Sequence, residues 1–326
     1  MSAQHPDPVI TARALTKRYG KTSVVDAIDF TVERGEIFGL LGPNGAGKTT
    51  TILMMLGLTE VSGGEIHVLG YNPVREPLAV KRRVGYLPDM VGFYDQLTAR
   101  ENLTYTARLM GLPSSERQAR IESALARVRL LAVADRRVST FSRGMRQRLG
   151  LAEILMKKAE IAILDEPTSG LDPQSTVEFL DMIRSLKAEG VTVLLSSHLL
   201  DQVQRVCDRV ALFQAGHIVL MGAVPDLARQ VLGAGFVVEV EAVPAPDTEL
   251  DSRLSAVPGV TAVERAGTDR YILTADRDVR PEAARAVVAA NGALRRLSVE
   301  EPSLEAIYTR FFEKQAAKNQ GVRDAA

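Results

Sequence analysis

The chain has 326 residues, 40 Lys+Arg against 40 Asp+Glu, and 46% apolar residues. That length accommodates two domains and a large core, while a formal net charge of zero gives no field to gather nucleic acid or an anionic membrane surface. The single cysteine, Cys207, excludes an internal disulfide framework and a cysteine-based zinc site, and suits a reducing compartment.

No apolar run reaches the length of a bilayer span, and the polar residues 1–8 carry no signal-peptide core. Work at a membrane would therefore go through a partner. Residues 9–18 read as an edge strand ending at the turn Tyr19-Gly20. Residues 24–32 alternate apolar and polar from Ala27 onward, the period of a half-buried antiparallel strand. The apolar run 37–41 reads as a buried strand, and 51–56 as helix. Between them stands Gly42-Pro43-Asn44-Gly45-Ala46-Gly47-Lys48-Thr49-Thr50, which fits the phosphate-binding loop G-x-x-x-x-G-K-[ST]. Glycines let the backbone wrap phosphate oxygens with N–H groups pointing inward, and a helix opening at Lys48 presents its positive end to the same anion. Lys48 is placed to reach the β- and γ-phosphates, and the Thr49 hydroxyl to ligate Mg²⁺.

Residues 62–65 form a turn, 66–69 a short strand, and 84–88 a strand ending at Asp89. The pattern then becomes helical. Thr98-x-x-Glu101 is a capping box for a helix to about residue 110, and Ser115-x-x-Gln118 a second for a helix to about 131. A third helix covers 146–157, so residues 90–157 are a helical insertion between strands. A buried strand over 159–165 ends in Asp165-Glu166-Pro167. Asp172-Pro173 caps a helix that Gly190 stops. A strand over 191–197 ends at His198, a short helix runs to Cys207, and strands over 210–213 and 217–221 follow. Strands alternating with helices argue for a mainly parallel α/β sheet. Beyond a boundary near 232–235, residues 236–299 run β-α-β-β-α-β, the ferredoxin-like α+β pattern. An amphipathic helix over 303–314 and a disordered tail over 315–326 close the chain.

Two acidic residues after an apolar strand downstream of a P-loop have a clear use. Asp165 would hold Mg²⁺, and Glu166 would orient or deprotonate the attacking water, because nucleotide hydrolysis depends on positioning. The bland alternative is a strand-end pair facing solvent. His198 is either a surface histidine or a γ-phosphate contact beside Ser196-Ser197. Tyr19 either packs at a strand end or stacks on a base.

Together these segments resemble the nucleotide-binding domain of an ABC transporter over about residues 9–225. The residues that carry the likeness are the P-loop, Asp165-Glu166-Pro167-Thr168, the D-loop Ser169-Gly170-Leu171-Asp172, the switch His198, and Phe141-Ser142-Arg143-Gly144-Met145-Arg146-Gln147-Arg148, which looks like the ABC signature. The resemblance implies a P-loop NTPase of ABC type with a mainly parallel sheet, an antiparallel β subdomain and the helical insertion. It implies ATP and Mg²⁺ as ligands, and two copies closing head to tail over two nucleotides, with Ser142 and Gly144 acting in trans and Tyr19 stacking on adenine. It also implies a separate transmembrane permease, a place at the cytoplasmic face of the plasma membrane, and no nucleic acid. Residues 89–110, with Phe93, Tyr94 and Leu97, then form part of the groove for the permease.

Three positions depart from the family pattern. Arg143 and Met145 replace glycine and glutamine in the signature, which resembles the exporter branch of daunorubicin-resistance, sodium-extrusion and copper-maturation ATPases. Asp89 replaces the Q-loop glutamine, where a carboxylate would face Mg²⁺ or water. A soluble ABC ATPase acting on ribosomes or nucleic acid, and a nucleotide-binding regulator that hydrolyses little, are the rival readings.

Overall fold

The computed structural model describes residues 8–232, 236–245, 249–300 and 303–323. The chain divides into two compact units, Met1–Met221 and Gly222–Ala326. The first opens with β1 (Pro8–Tyr19), β2 (Thr22–Glu33), β3 (Ile37–Leu41), α1 (Lys48–Met55) and β4 (Gly63–Val68). Strands β1, β2 and β4 form a three-stranded antiparallel sheet in the order β2-β1-β4. β1 is thus the central strand, not the edge strand its sequence suggests. Edge or centre is decided by the partner across the sheet, and β4 arrives on its free side from more than 40 residues downstream.

The chain continues through α2 (Pro77–Arg83), β5 (Val84–Leu87), α3 (Ala99–Leu109), α4 (Ser114–Arg127), α5 (Arg143–Lys157) and β6 (Ile161–Asp165). It then makes α6 (Pro173–Ala188), β7 (Thr192–Ser197), α7 (Leu200–Gln204), β8 (Arg209–Gln214) and β9 (His217–Gly222). The second sheet has the order β5-β6-β7-β3-β8-β9, and its strands from β5 to β8 are parallel. β3, β6 and β7 are buried at every residue, as parallel strands covered on both faces must be. Their adjacency matters most for function. The P-loop leaves the C-terminal end of β3, Asp165 ends β6, and His198 follows β7, so three distant segments meet along one sheet edge.

The three helices α3, α4 and α5 lie between β5 and β6. The Thr98 capping box forms in full: Thr98 Oγ1 accepts from Glu101 N at 3.1 Å, and Glu101 Oε2 accepts from Thr98 N at 2.7 Å. The Ser115 box does not form. α4 starts two residues earlier, with Pro113 at its N-cap and no side-chain cap, which leaves Ser115 inside the first turn. α5 begins at Arg143 rather than 146, because Ser142 caps it with Oγ accepting from Met145 N at 3.2 Å. α2 was not evident from the sequence, since its seven residues carry three cations and little apolar periodicity.

The second unit starts with α8 (Val224–Leu232), followed by β10 (Phe236–Val243), α9 (Leu250–Ser255), β11 (Val260–Arg265), β12 (Arg270–Ala275), α10 (Arg280–Ala289), β13 (Ala293–Glu300) and α11 (Leu304–Arg323). The sheet order is β11-β12-β10-β13 with all pairs antiparallel, the arrangement of a split βαβ unit. Alternate residues Val238, Val240 and Ala242 of β10, with Tyr271 and Leu273 of β12, face Leu254, Ala283 and Val287 of the helices in one core. The units divide at 221/222, ahead of the 232–235 boundary read from the sequence, because α8 packs on α11. Linker residues 233–235 lie outside the described residues, as do 1–7 and 324–326. α11 continues to Arg323, past the end expected at 314, through a run free of Gly and Pro up to Gln320.

Candidate active site

The loop 42–47 is held open by glycine. Gly42, Gly45 and Gly47 have φ of 148°, 80° and 107°. A Cβ on Gly42 would sit 2.3 Å from the Phe213 carbonyl oxygen, and one on Gly47 would sit 2.8 Å from that of Val24. Its walls are bonded to neighbouring strands: Gly42 N donates to Ser197 O at 3.2 Å and Gly216 N to Ala46 O at 3.1 Å. Pro43, Asn44 and Gly45 form the exposed crown, Thr49 is exposed and Thr50 half-buried. Lys48 is 5% exposed and donates to the carbonyls of Gly42 at 2.6 Å and Pro43 at 3.2 Å. The cation thus lies under the cradle at the first residue of α1, where helix dipole and charge both favour an anion.

The ends of β6 and β7 complete the cluster. Thr49 Oγ1 donates to Asp165 Oδ1 at 3.2 Å, and Ser196 Oγ donates to the same oxygen at 2.5 Å. Glu166 has φ 48°, a left-handed conformation uncommon outside glycine. Its backbone N donates to Ser196 Oγ at 2.9 Å. Its carboxylate is split between two partners: Oε1 lies 3.3 Å from Lys48 Nζ, and Oε2 lies 2.8 Å from His198 Nδ1. Oε1 is buried without a hydrogen bond. Burial, with the Asp165 charge nearby, pushes the Tyr86 hydroxyl up to about 12. Thr49 and Asp165 make a hydroxyl–carboxylate pair of the hard oxygen donors that Mg²⁺ takes. The glycine cradle and its buried ammonium fit the phosphates of a nucleoside triphosphate, and the unsatisfied Glu166 oxygen fits a hydrogen-bond donor such as water beside them.

The sequence pattern described as ABC transporter matches residues 25–169. The linearmycin resistance ATP-binding protein LnrL of Bacillus subtilis is 39% identical over 225 residues, covering 69% of this chain and 72% of that one. The chain belongs to the ABC transporter family. The daunorubicin resistance ATP-binding protein DrrA3 of Streptomyces coeruleorubidus is 36% identical across 87% of this chain and 88% of its own. Among solved structures, an ATP-binding subunit of an ABC transporter superposes with a TM-score of 0.63 at 32% identity, over 68% of this chain and 92% of its own. This ABC subunit is accordingly an ATP-binding ATPase.

Tyr19 ends β1 with 53% exposure, and the Lys17 ammonium stands 4.9 Å from its ring centroid. Ser142 is exposed at the start of α5, and Gly144 sits where a Cβ would be 3.5 Å from Ser175 Oγ. Asp89 Oδ1 accepts from Arg143 Nη2 at 2.6 Å. Among the described residues no group of three or more His, Cys, Asp or Glu could hold a metal. Sequence reasoning gave Ser196 no role of its own, although its hydroxyl joins Asp165 to the Glu166 backbone. The available signal was the buried hydroxyl pair Ser196-Ser197 that ends the apolar run of β7.

Proposed function

We propose that this ATPase binds MgATP, pairs head to tail with a second copy, and drives a separate transmembrane permease that exports its cargo. Lys48 and the loop N–H groups would hold the phosphates, Thr49 and Asp165 the Mg²⁺, and Tyr19 the adenine. Mg²⁺ would neutralise charge on the phosphates. Glu166 would orient and deprotonate water, with His198 fixing its carboxylate from one side and Lys48 from the other. Ser142 and Gly144, exposed or half-buried at the N-terminus of α5, would meet the nucleotide of the second copy. The observation that carries this reading is the meeting of Lys48, Thr49, Asp165, Glu166 and His198 where β3, β6 and β7 end.

Export is supported by the resistance functions for which LnrL and DrrA3 are named. No helix among the described residues is long and apolar enough to cross a membrane; in the proposed reading the permease would hold the chain at the cytoplasmic face. The surface offered to it is apolar. Met90, Tyr94, Tyr105 and Leu109 are exposed, with the Tyr94 and Tyr105 rings in edge contact at 5.0 Å. A cavity lined by Leu58, Tyr86, Met110 and Ile154 has a volume of about 260 Å³. Phe93 and Leu97 are half-buried beside this surface. Purification of the tagged chain from native membranes in mild detergent tests the reading. A polytopic membrane protein retained stoichiometrically is expected; recovery with ribosomes or DNA, or with no membrane partner, would overturn it.

A further inference from the structure

Two of the three departures from the family pattern meet each other in space. Asp89 lies just beyond β5 and Arg143 is the first residue of α5, yet their side chains form an ion pair at 2.6 Å. α5 lies along β5 through a series of close contacts that ends at this pair. A Cβ on Gly85 would be 2.7 Å from Ile154, and one on Gly150 would be 2.3 Å from Leu87. Only glycine allows strand and helix to approach so closely there. Further along, the buried Gln147 donates Nε2 to the Asp89 carbonyl at 3.1 Å. Arg143, four residues before Gln147 and so on the same helix face, takes the Asp89 carboxylate. The Arg143 side chain also crosses the D-loop, where a Cβ on Gly170 would sit 3.2 Å from its Cδ and Nε.

A cation in the first turn of a helix opposes the helix dipole, and α5 has no acidic residue in that turn. Asp89 supplies the missing negative charge from outside the helix. We propose that Asp89 and Arg143 are positioning residues for ATP hydrolysis, whose ion pair sets the N-terminal turn of α5 against β5 and the D-loop. Ser142 and Gly144 flank Arg143, so the pair fixes the two groups offered to the opposite nucleotide. The inference rests on the reading that these two act across a head-to-tail pair. With side-chain exposures of 43% and 48%, the ion pair adds little to stability. Its effect belongs in turnover.

The test is steady-state ATP hydrolysis by the full chain carrying Asp89→Asn, Arg143→Gln, both together, and the exchange Asp89→Arg with Arg143→Asp. Each single change is expected to lower kcat about tenfold, since a small misplacement of a positioned group is enough for that, with KM for ATP and melting temperature nearly unchanged. The double neutral variant should be no worse than either single, and the exchange should recover most of the lost rate. Single variants with unaltered kcat, or a double variant whose losses multiply, overturn the proposal. Light scattering with ATP in a Glu166→Gln background separates this from the reading beneath it. If that parent does not double its mass, the head-to-tail pair is wrong and the proposal falls with it. If the parent doubles and the variants keep full kcat, only the positioning role is wrong.

Discussion

In the proposed function Glu166 carries the chemistry, and its setting explains why a single oxygen-to-nitrogen change there is informative. The residue holds φ at 48°, a conformation that costs about 1–3 kcal/mol for a side-chain-bearing residue and is kept in place by the Ser196 hydroxyl on its backbone N–H. With Oε2 bonded to His198 Nδ1 and Oε1 only in ion-pair range of the Lys48 ammonium at 3.3 Å, the carboxylate is held in one orientation with one oxygen left to accept. Glu166→Gln preserves shape and removes the base. It should lower kcat about 10²-fold or more while ATP affinity, measured by equilibrium binding, stays within a few-fold of the unsubstituted chain. A hydrolysis rate equal to that of the unsubstituted chain would move the base elsewhere. Lys48, Thr49, Asp165, Glu166 and His198 were legible because a P-loop, a strand-end acidic pair and a strand-end histidine are local patterns. Ser196 and the Asp89–Arg143 pair were not, because their partners stand 31 and 54 residues away. Nothing local says that Arg143 turns toward Asp89.

Among the elements, the two capping-box patterns of the helical insertion had different fates. Thr98 stands in extended conformation before α3 and exchanges both bonds with Glu101. At α4 two serines follow Pro113, whose carbonyl already accepts from Arg117 N at 3.1 Å, so the helix is under way before Ser115 can cap it. Thr98→Ala should destabilise the fold by about 1 kcal/mol, read as a lower melting temperature. The hydrogen bond from the Thr98 backbone holds the Glu101 carboxyl below its ordinary range. A depressed carboxyl favours the fold above its unfolded pKa, and that contribution is lost as pH falls through the folded value. The melting-temperature difference between Glu101→Gln, which removes that carboxyl's charge, and the parent should therefore shrink in acid; a difference that grows toward low pH would refute the box. Close packing of α5 on β5 through Gly85 and Gly150 was equally hidden, since an isolated glycine reports only that a side chain is missing.

For the whole molecule, alternation of strand and helix indicated the parallel sheet, and the β-α-β-β-α-β run indicated the second unit's sheet. Neither pattern could say that β1 is central, since that depends on β4 pairing along its other side. Nor could composition place α8 with the second unit, because its apolar stripe meets α11, about 80 residues later. The sheet order is what brings three loops to one edge, and that edge is half of a nucleotide site if Ser142 and Gly144 serve another copy. The most direct test of this account is the mass of the Glu166→Gln chain by light scattering, with and without saturating MgATP. Without nucleotide the chain should scatter at its own 35.4 kDa; with MgATP the mass should double, and Ser142→Arg should prevent the doubling while leaving ATP bound. A chain that binds MgATP at full occupancy and remains at the single-chain mass would contradict the account.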